Sequence, residues 1–225
     1  MTALPTTQYQ SQPQRQQPAI SLGFEHVNRY WDKVHEVWAA KILPGELYVS
    51  THGEMISTVL GSCISVCIRD KNKGIGGMNH FMLPQDSEFS TAGWGENPAT
   101  SSSRYGNWAM EYLINAIMKR GGEKQNFEVK VFGGGQMMAE MTDIGQKNIL
   151  FIYNYLAQEK LKIEASDVGD IYARKILYFP DTGNVKVRRI TSVKNDTIIR
   201  RQNEYEKDVS VKSSYKPDTK NIELF

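Results

Sequence analysis

The sequence predicts an α/β fold of the α+β kind, a single mixed sheet with helices packed on it, and three observations point there. Apolar and polar residues alternate along Ile64, Val66 and Ile68 and again along Phe127, Val129 and Val131, the period of a strand. Ala109, Leu113, Ala116 and Ile117 recur at helical spacing, as do Ile149, Ile152 and Leu156. Turn residues gather at Lys71-Asn-Lys-Gly74 and Pro180-Asp-Thr-Gly-Asn184. No internal repeat is present.

In chain order, residues 1–20 hold six Gln and three Pro and almost no large apolar side chains, which predicts a disordered tail. Val27, Trp31, Val34 and Trp38 then fall at helix-like spacing, so a lead-in helix or loop is expected before Pro44-Gly45. An extended Glu46–Ser50 follows. Residues 55–60, Met-Ile-Ser-Thr-Val-Leu, are rich in β-branched side chains and run into the glycine break Gly61-Ser62-Cys63. The alternating strand after Cys63 turns at 71–74 and returns through 75–83, a hairpin that would bring Cys63 and His80 towards each other. Residues 85–106 read as a long loop, a lid or an entrance. A helix carrying Ala109 to Ile117 should end at Lys119-Arg-Gly-Gly122, where basic residues and glycine suit a C-terminus. A strand over Phe127 to Val131 leads to Gly133-Gly-Gly135, and a second amphipathic helix begins near Gly145 or Gln146. Ile171–Phe179 and Val185–Ile190 form a final hairpin. Residues 21–200 are thus expected as one domain, and 201–225 as a charged, flexible tail with Tyr205, Val209, Val211 and Tyr215 as its only anchors.

Composition narrows the function classes. The chain has 225 residues, and 27 Lys+Arg against 25 Asp+Glu leave a net charge of +2, too balanced to indicate a nucleic-acid partner. Lys186, Arg188, Arg189 and Lys194 make a small basic strip that reads as a solvated face. Two cysteines four residues apart exclude a disulfide scaffold and fit reduced thiols in the cytoplasm. No apolar run reaches the roughly 20 residues that span a bilayer, so no membrane insertion is expected.

One constellation could do chemistry. Cys63 follows Gly61-Ser62 at a junction between extended segments, where the backbone N–H groups of Ser62 and Cys63 could converge on an oxyanion. A thiol needs a base, and of His26, His35, His52 and His80 only His80 lies in an apolar, glycine-containing strand segment. The opposing reading is that Cys63 and His80 are ordinary core residues. Cys67 takes that structural reading outright. A metal site is disfavoured because no second Cys or His pair completes four ligands. Gly133-Gly-Gly135 matches neither a P-loop nor a dinucleotide fingerprint, so tight backbone packing is its expected role.

Thr58-Val-Leu-Gly-Ser-Cys-Ile-Ser-Val-Cys67 and Gly76-Gly-Met-Asn-His-Phe-Met-Leu-Pro84 resemble the signature of the CheD chemoreceptor glutamine deamidases. Phe132-Gly-Gly-Gly-Gln-Met-Met138, Ile144-Gly-Gln-Lys-Asn148, Asp167-Val-Gly169 with Arg174, and Gly183-Asn-Val-Lys-Val-Arg188 are similar to its later blocks, so the resemblance covers roughly 42–190. It implies a single CheD-like domain and an amidohydrolase that converts glutamine side chains on the cytoplasmic helices of methyl-accepting chemoreceptors to glutamate. Carried over, Cys63 is the nucleophile, His80 the base, and Ser57 or Thr58 the third member. Strand alternation favours Ser57 and residue identity favours Thr58. Asp170 departs from the family, which often has a second glycine there. No metal or organic cofactor is implied; a chemotaxis phosphatase of the CheC type is an implied partner in some members. The rivals are a cysteine hydrolase of another amide and a non-catalytic chemotaxis module that docks on receptors or a phosphatase.

Overall fold

The computed structural model describes residues 16–83, 101–136, 144–191, 200, 204–205 and 207–208. Among the described residues the principal elements follow in the order β1 Asn28–Asp32, β2 Val37–Lys41, β3 Leu47–Ser50, β4 Met55–Leu60, β5 Ile64–Asp70, β6 Ile75–Asn79, α1 Ser101–Lys119, β7 Phe127–Gly133, α2 Ile144–Gln158, β8 Ile163–Val168, β9 Ala173–Phe179 and β10 Asn184–Ile190. The strands divide between two five-stranded sheets, ordered β1-β2-β4-β9-β10 and β3-β6-β5-β7-β8. Each is mixed, with β2 parallel to β4 in the first and β7 parallel to β8 in the second. The α+β class holds, with two mixed sheets where the sequence predicts one, because the chain changes sheet between β4 and β5.

β5 shows why the two sheets form layers. It is buried along nearly its whole length, on both faces, as a central strand must be when each face is covered. One face meets the helices: on the adjoining β6, a Cβ at Gly77 would touch Leu113 of α1, and Asn79 donates to the carbonyl oxygen of Ala109. The other face meets the first sheet, where Ile56 and Leu60 of β4 and Ile176 and Tyr178 of β9 join one apolar cluster with residues of both sheets and both helices. Burial on both faces also pushes the Cys67 thiol up. Neither cysteine is part of a disulfide.

The lead-in segment corrects the helical expectation. Val27 to Trp38 forms the β1–β2 hairpin, in which Trp31 pairs with Trp38 and their rings meet edge-on at 5.8 Å. Asp32 makes the turn by accepting N–H bonds from Val34 and His35, and Glu36 takes a positive φ of 51°. Helix-like spacing arose because two aromatic residues face each other across a turn, and the β preference of Tyr30, Trp31, Val37 and Trp38 prevails. Residues 101–106, expected in a loop, are already in α1, while 84–100 lie outside the described residues. β8, whose sequence Ile-Glu-Ala-Ser-Asp-Val alternates weakly, is not predicted by local pattern; it forms by parallel pairing on β7. Asp170 has φ 65°, the left-handed region in which glycine is the default and aspartate is tolerated. Of the basic strip, Arg189 pairs with Asp167 at 3.2 Å and Lys186 lies over the Phe179 ring, whereas Lys194 is outside the described residues. The tail residues 1–15 and the anchors Val209, Val211 and Tyr215 are also outside them.

Candidate active site

The chain passes from the first sheet to the second between Leu60 and Ile64, and Cys63 sits in that crossing. The loop has no freedom to wander. Gly134 N–H donates to the Cys63 carbonyl at 2.8 Å and Gly135 N–H to the Gly61 carbonyl at 2.8 Å. This close approach needs glycine: a Cβ on Gly133, whose φ is +112°, would lie 2.1 Å from the Cys63 carbonyl oxygen. The glycine triplet therefore works by backbone packing.

His80 enters from the other side. The Ile64 and Phe81 backbones exchange hydrogen bonds at 2.9 Å, so strand alternation puts Cys63, Ser65, His80 and Met82 on the face that looks at the first sheet. Cys63 and His80 are diagonal neighbours there. Thr58 of β4 points across the interlayer gap, and its Oγ1 lies 2.8 Å from His80 Nδ1. Thr58 also donates its one hydroxyl proton to the Ile42 carbonyl at 2.9 Å. With that proton committed, Oγ1 can only accept from the ring, which assigns the ring proton to Nδ1 and leaves Nε2 with a lone pair. Nε2 is buried and has no hydrogen-bond partner among the described residues. Burial pushes the His80 pKa down to about 3, so the ring is neutral across the physiological range.

Ser57 lies elsewhere. Its hydroxyl is 3.4 Å from Tyr30 Oη, on the face of β4 turned away from the second sheet. Alternation from Cys63 does not carry back to β4, because the strand ends at Leu60 and the chain changes sheet before Cys63. Ser62, the other backbone candidate, reaches the Met82 sulfur at 3.6 Å with its hydroxyl.

A residue that pattern analysis did not single out ties these segments together. Asn148 of α2, fully buried, donates from Nδ2 to the Ser62 carbonyl at 2.9 Å and accepts at Oδ1 from Leu83 N–H, also at 2.9 Å. It bridges the segment before Cys63 to the segment after His80. The available signal was a polar residue on the apolar face of an amphipathic helix, four residues after Ile144 and one before Ile149. Arg174, also fully buried, pairs with Asp167 at 2.8 Å beside the glycine loop. The arrangement offers a neutral imidazole with a fixed tautomer and, diagonal to it on the same face, a buried thiol.

The chain is similar to proteins of one family. Residues 82–189 match the family model for CheD, chemotactic sensory transduction. A curated relative from Halorhodospira halophila, "Probable chemoreceptor glutamine deamidase CheD", is 49% identical over 81% of this chain and 84% of its own length. One of the same name from Hahella chejuensis is 48% identical over 89% of this chain and 93% of its own. A third, from Saccharophagus degradans, is 44% identical over 94% and 95%, which leaves too few residues at the ends to miss positions 63 and 80.

Proposed function

The chain belongs to the CheD family, and from that premise we propose that it is a protein-glutamine deamidase acting on chemoreceptor cytoplasmic helices, with Cys63 as nucleophile and His80 as base. The observation that carries the reading is the Nε2 lone pair of a neutral His80, buried without a hydrogen-bond partner among the described residues and held in that tautomer by Thr58.

His80 Nε2 takes the thiol proton as the Cys63 sulfur attacks the side-chain amide carbon of a glutamine. The oxyanion that forms is stabilised by backbone N–H groups around Ser62 and Cys63, a contribution of about 10²–10³ in rate where such donors are in place. The tetrahedral intermediate collapses by breaking the C–N bond, and the imidazolium returns its proton to the departing ammonia. Water then attacks the thioester while Nε2 accepts its proton. The C–S bond breaks, the thiol is restored and the product is glutamate. Thr58 acts throughout by accepting from Nδ1–H, which keeps Nε2 facing the chemistry and supports the transient imidazolium. Each turnover adds one negative charge to a receptor helix and so alters repulsion between packed helices. The chemistry belongs in the cytoplasm, where the receptor helices lie.

The test is peptide mass spectrometry of a recombinant chemoreceptor cytoplasmic fragment incubated with the parent protein or with Cys63→Ala. Site-specific conversion of Gln to Glu by the parent alone is expected. Binding of the fragment by both proteins without conversion would overturn the enzymatic reading in favour of a docking module.

A further inference from the structure

Cys63 and His80 are each 2% exposed, and an incoming side chain has to reach both. Some cover must therefore move. β4, β5 and β6 are held by ladders of backbone hydrogen bonds to neighbours on each side, and the crossing at 61–63 is pinned by Gly134, Gly135 and Asn148. None of these can yield without dismantling the core.

Tyr205 is different. It comes from the segment after β10, yet its ring packs against the apolar core. The ring lies on Gly45: a Cβ there would be 3.0 Å from Tyr205 Cε2 and 3.1 Å from its Oη. Gly45 adjoins the site, because its N–H donates to the His80 carbonyl at 2.7 Å. The Tyr205 hydroxyl is hydrogen-bonded to that of Tyr105 on α1, a residue 100 positions earlier in the chain. Burial is the first cause raising the pKa of both tyrosines, so the pair is withdrawn from water on the same side of the site as Gly45. Among the described residues, the Tyr205 side chain has one polar contact, that hydroxyl–hydroxyl bond, against whole ladders for the strands around it.

We propose that the slot between Gly45 and Tyr105, filled in the free protein by the Tyr205 ring, is the access subsite for the substrate side chain, and that Tyr205 swings out before Cys63 reacts. The ligand it takes is a slender aliphatic chain ending in a primary amide. The missing Cβ of Gly45 leaves room for the methylenes, and release of Tyr205 frees the Tyr105 hydroxyl to bond the amide. The identity of that ligand rests on the deamidase reading, whereas the gate itself does not.

The test uses the full chain and iodoacetamide, a small primary amide that alkylates thiols, with labelling of each cysteine followed separately by mass spectrometry. Cys67 is 1% exposed in the middle of β5 and serves as the internal report of unfolding. Tyr205→Ala is expected to raise the Cys63 rate at least tenfold with Cys67 unchanged. Tyr205→Phe and Tyr105→Phe, which remove only the hydroxyl bond, are expected to raise it severalfold and keep the test available if the alanine variant does not fold. A Cys63 rate within twofold of the parent in all variants would overturn the gate, as would a parallel rise at Cys67. Should alkylation respond while no receptor fragment is deamidated, the gate holds and the deamidase reading falls. Deamidation by a protein whose Cys63 labelling ignores Tyr205 would give the converse.

Discussion

Replacing Thr58 with valine keeps the shape of the side chain and removes one hydroxyl that serves two buried groups. The Ile42 carbonyl loses its donor and His80 Nδ1–H loses its acceptor. Each buried polar group left without its partner costs about 1–3 kcal/mol, so a loss of roughly 2–6 kcal/mol is expected for the pair. At about 2–4 °C per kcal/mol for a domain of this size, Tm should fall by roughly 4–24 °C. The effect on activity is larger. Without an acceptor at Nδ1, the ring is free to place its proton on Nε2, where it can no longer take the proton of the thiol. In a serine-protease triad a wrong tautomer costs about 10⁴ in kcat, and a fall of roughly 10²–10⁴ in kcat with little change in KM is expected for Thr58→Val. Thr58→Ser restores both bonds and should stay within about tenfold of the parent. Ser57→Ala should change neither kcat nor KM beyond about threefold, since that hydroxyl faces Tyr30 on the other side of β4. Mass spectrometric rates on a receptor fragment, with thermal unfolding of each variant, measure all of this. A folded Thr58→Val protein that keeps kcat within threefold would refute the tautomer argument.

Acid stability reports the burial of His80. In the folded chain the ring stays neutral down to about pH 3, whereas in the unfolded chain it protonates near 6.5. Between those values the unfolded state binds the additional proton, so stability falls as pH falls, by up to about 1.4 kcal/mol per unit, and is unaffected above this window. Urea unfolding of the parent and of His80→Gln from pH 6.5 to 4.5 should show the flatter slope in the variant; parallel slopes would count against it. Burial of the Asp70 and Glu128 carboxyls is outweighed by hydrogen-bond donors, which hold both below their ordinary values. Asn148→Asp keeps an acceptor for Leu83 N–H but removes the donor to Ser62 O, and should cost about 1–3 kcal/mol of stability. It should also lower kcat at least tenfold at temperatures where the variant is folded, because the segments carrying Cys63 and His80 are no longer tied; an unchanged kcat would show that the tie is structural only.

Much of this molecule follows from local pattern. Alternation places β5 and β7, β-branched content places β4, the turn at 180–184 between two strand-like runs places β9 and β10, and helical periodicity places α1 and α2, because each depends on contacts within a few positions. Cys63, His80 and the glycine triplet draw attention by residue type in a strand-rich context, and Tyr205 by being an aromatic residue in a charged segment. Tertiary structure decides what depends on partners far away in the chain. β8 exists because β7 offers it an edge, and the Trp31–Trp38 pairing overrides a helical period. Whether Ser57 or Thr58 meets His80 turns on the change of sheet at Gly61–Cys63, which strand parity cannot cross. The neutrality of His80, the clasp of Asn148 and the seat of Tyr205 on Gly45 arise only once layers far apart in sequence exclude water and bring their polar groups within bonding distance. Burial and hydrogen-bond partnership are properties of the assembled layers, which no single segment possesses before it is packed.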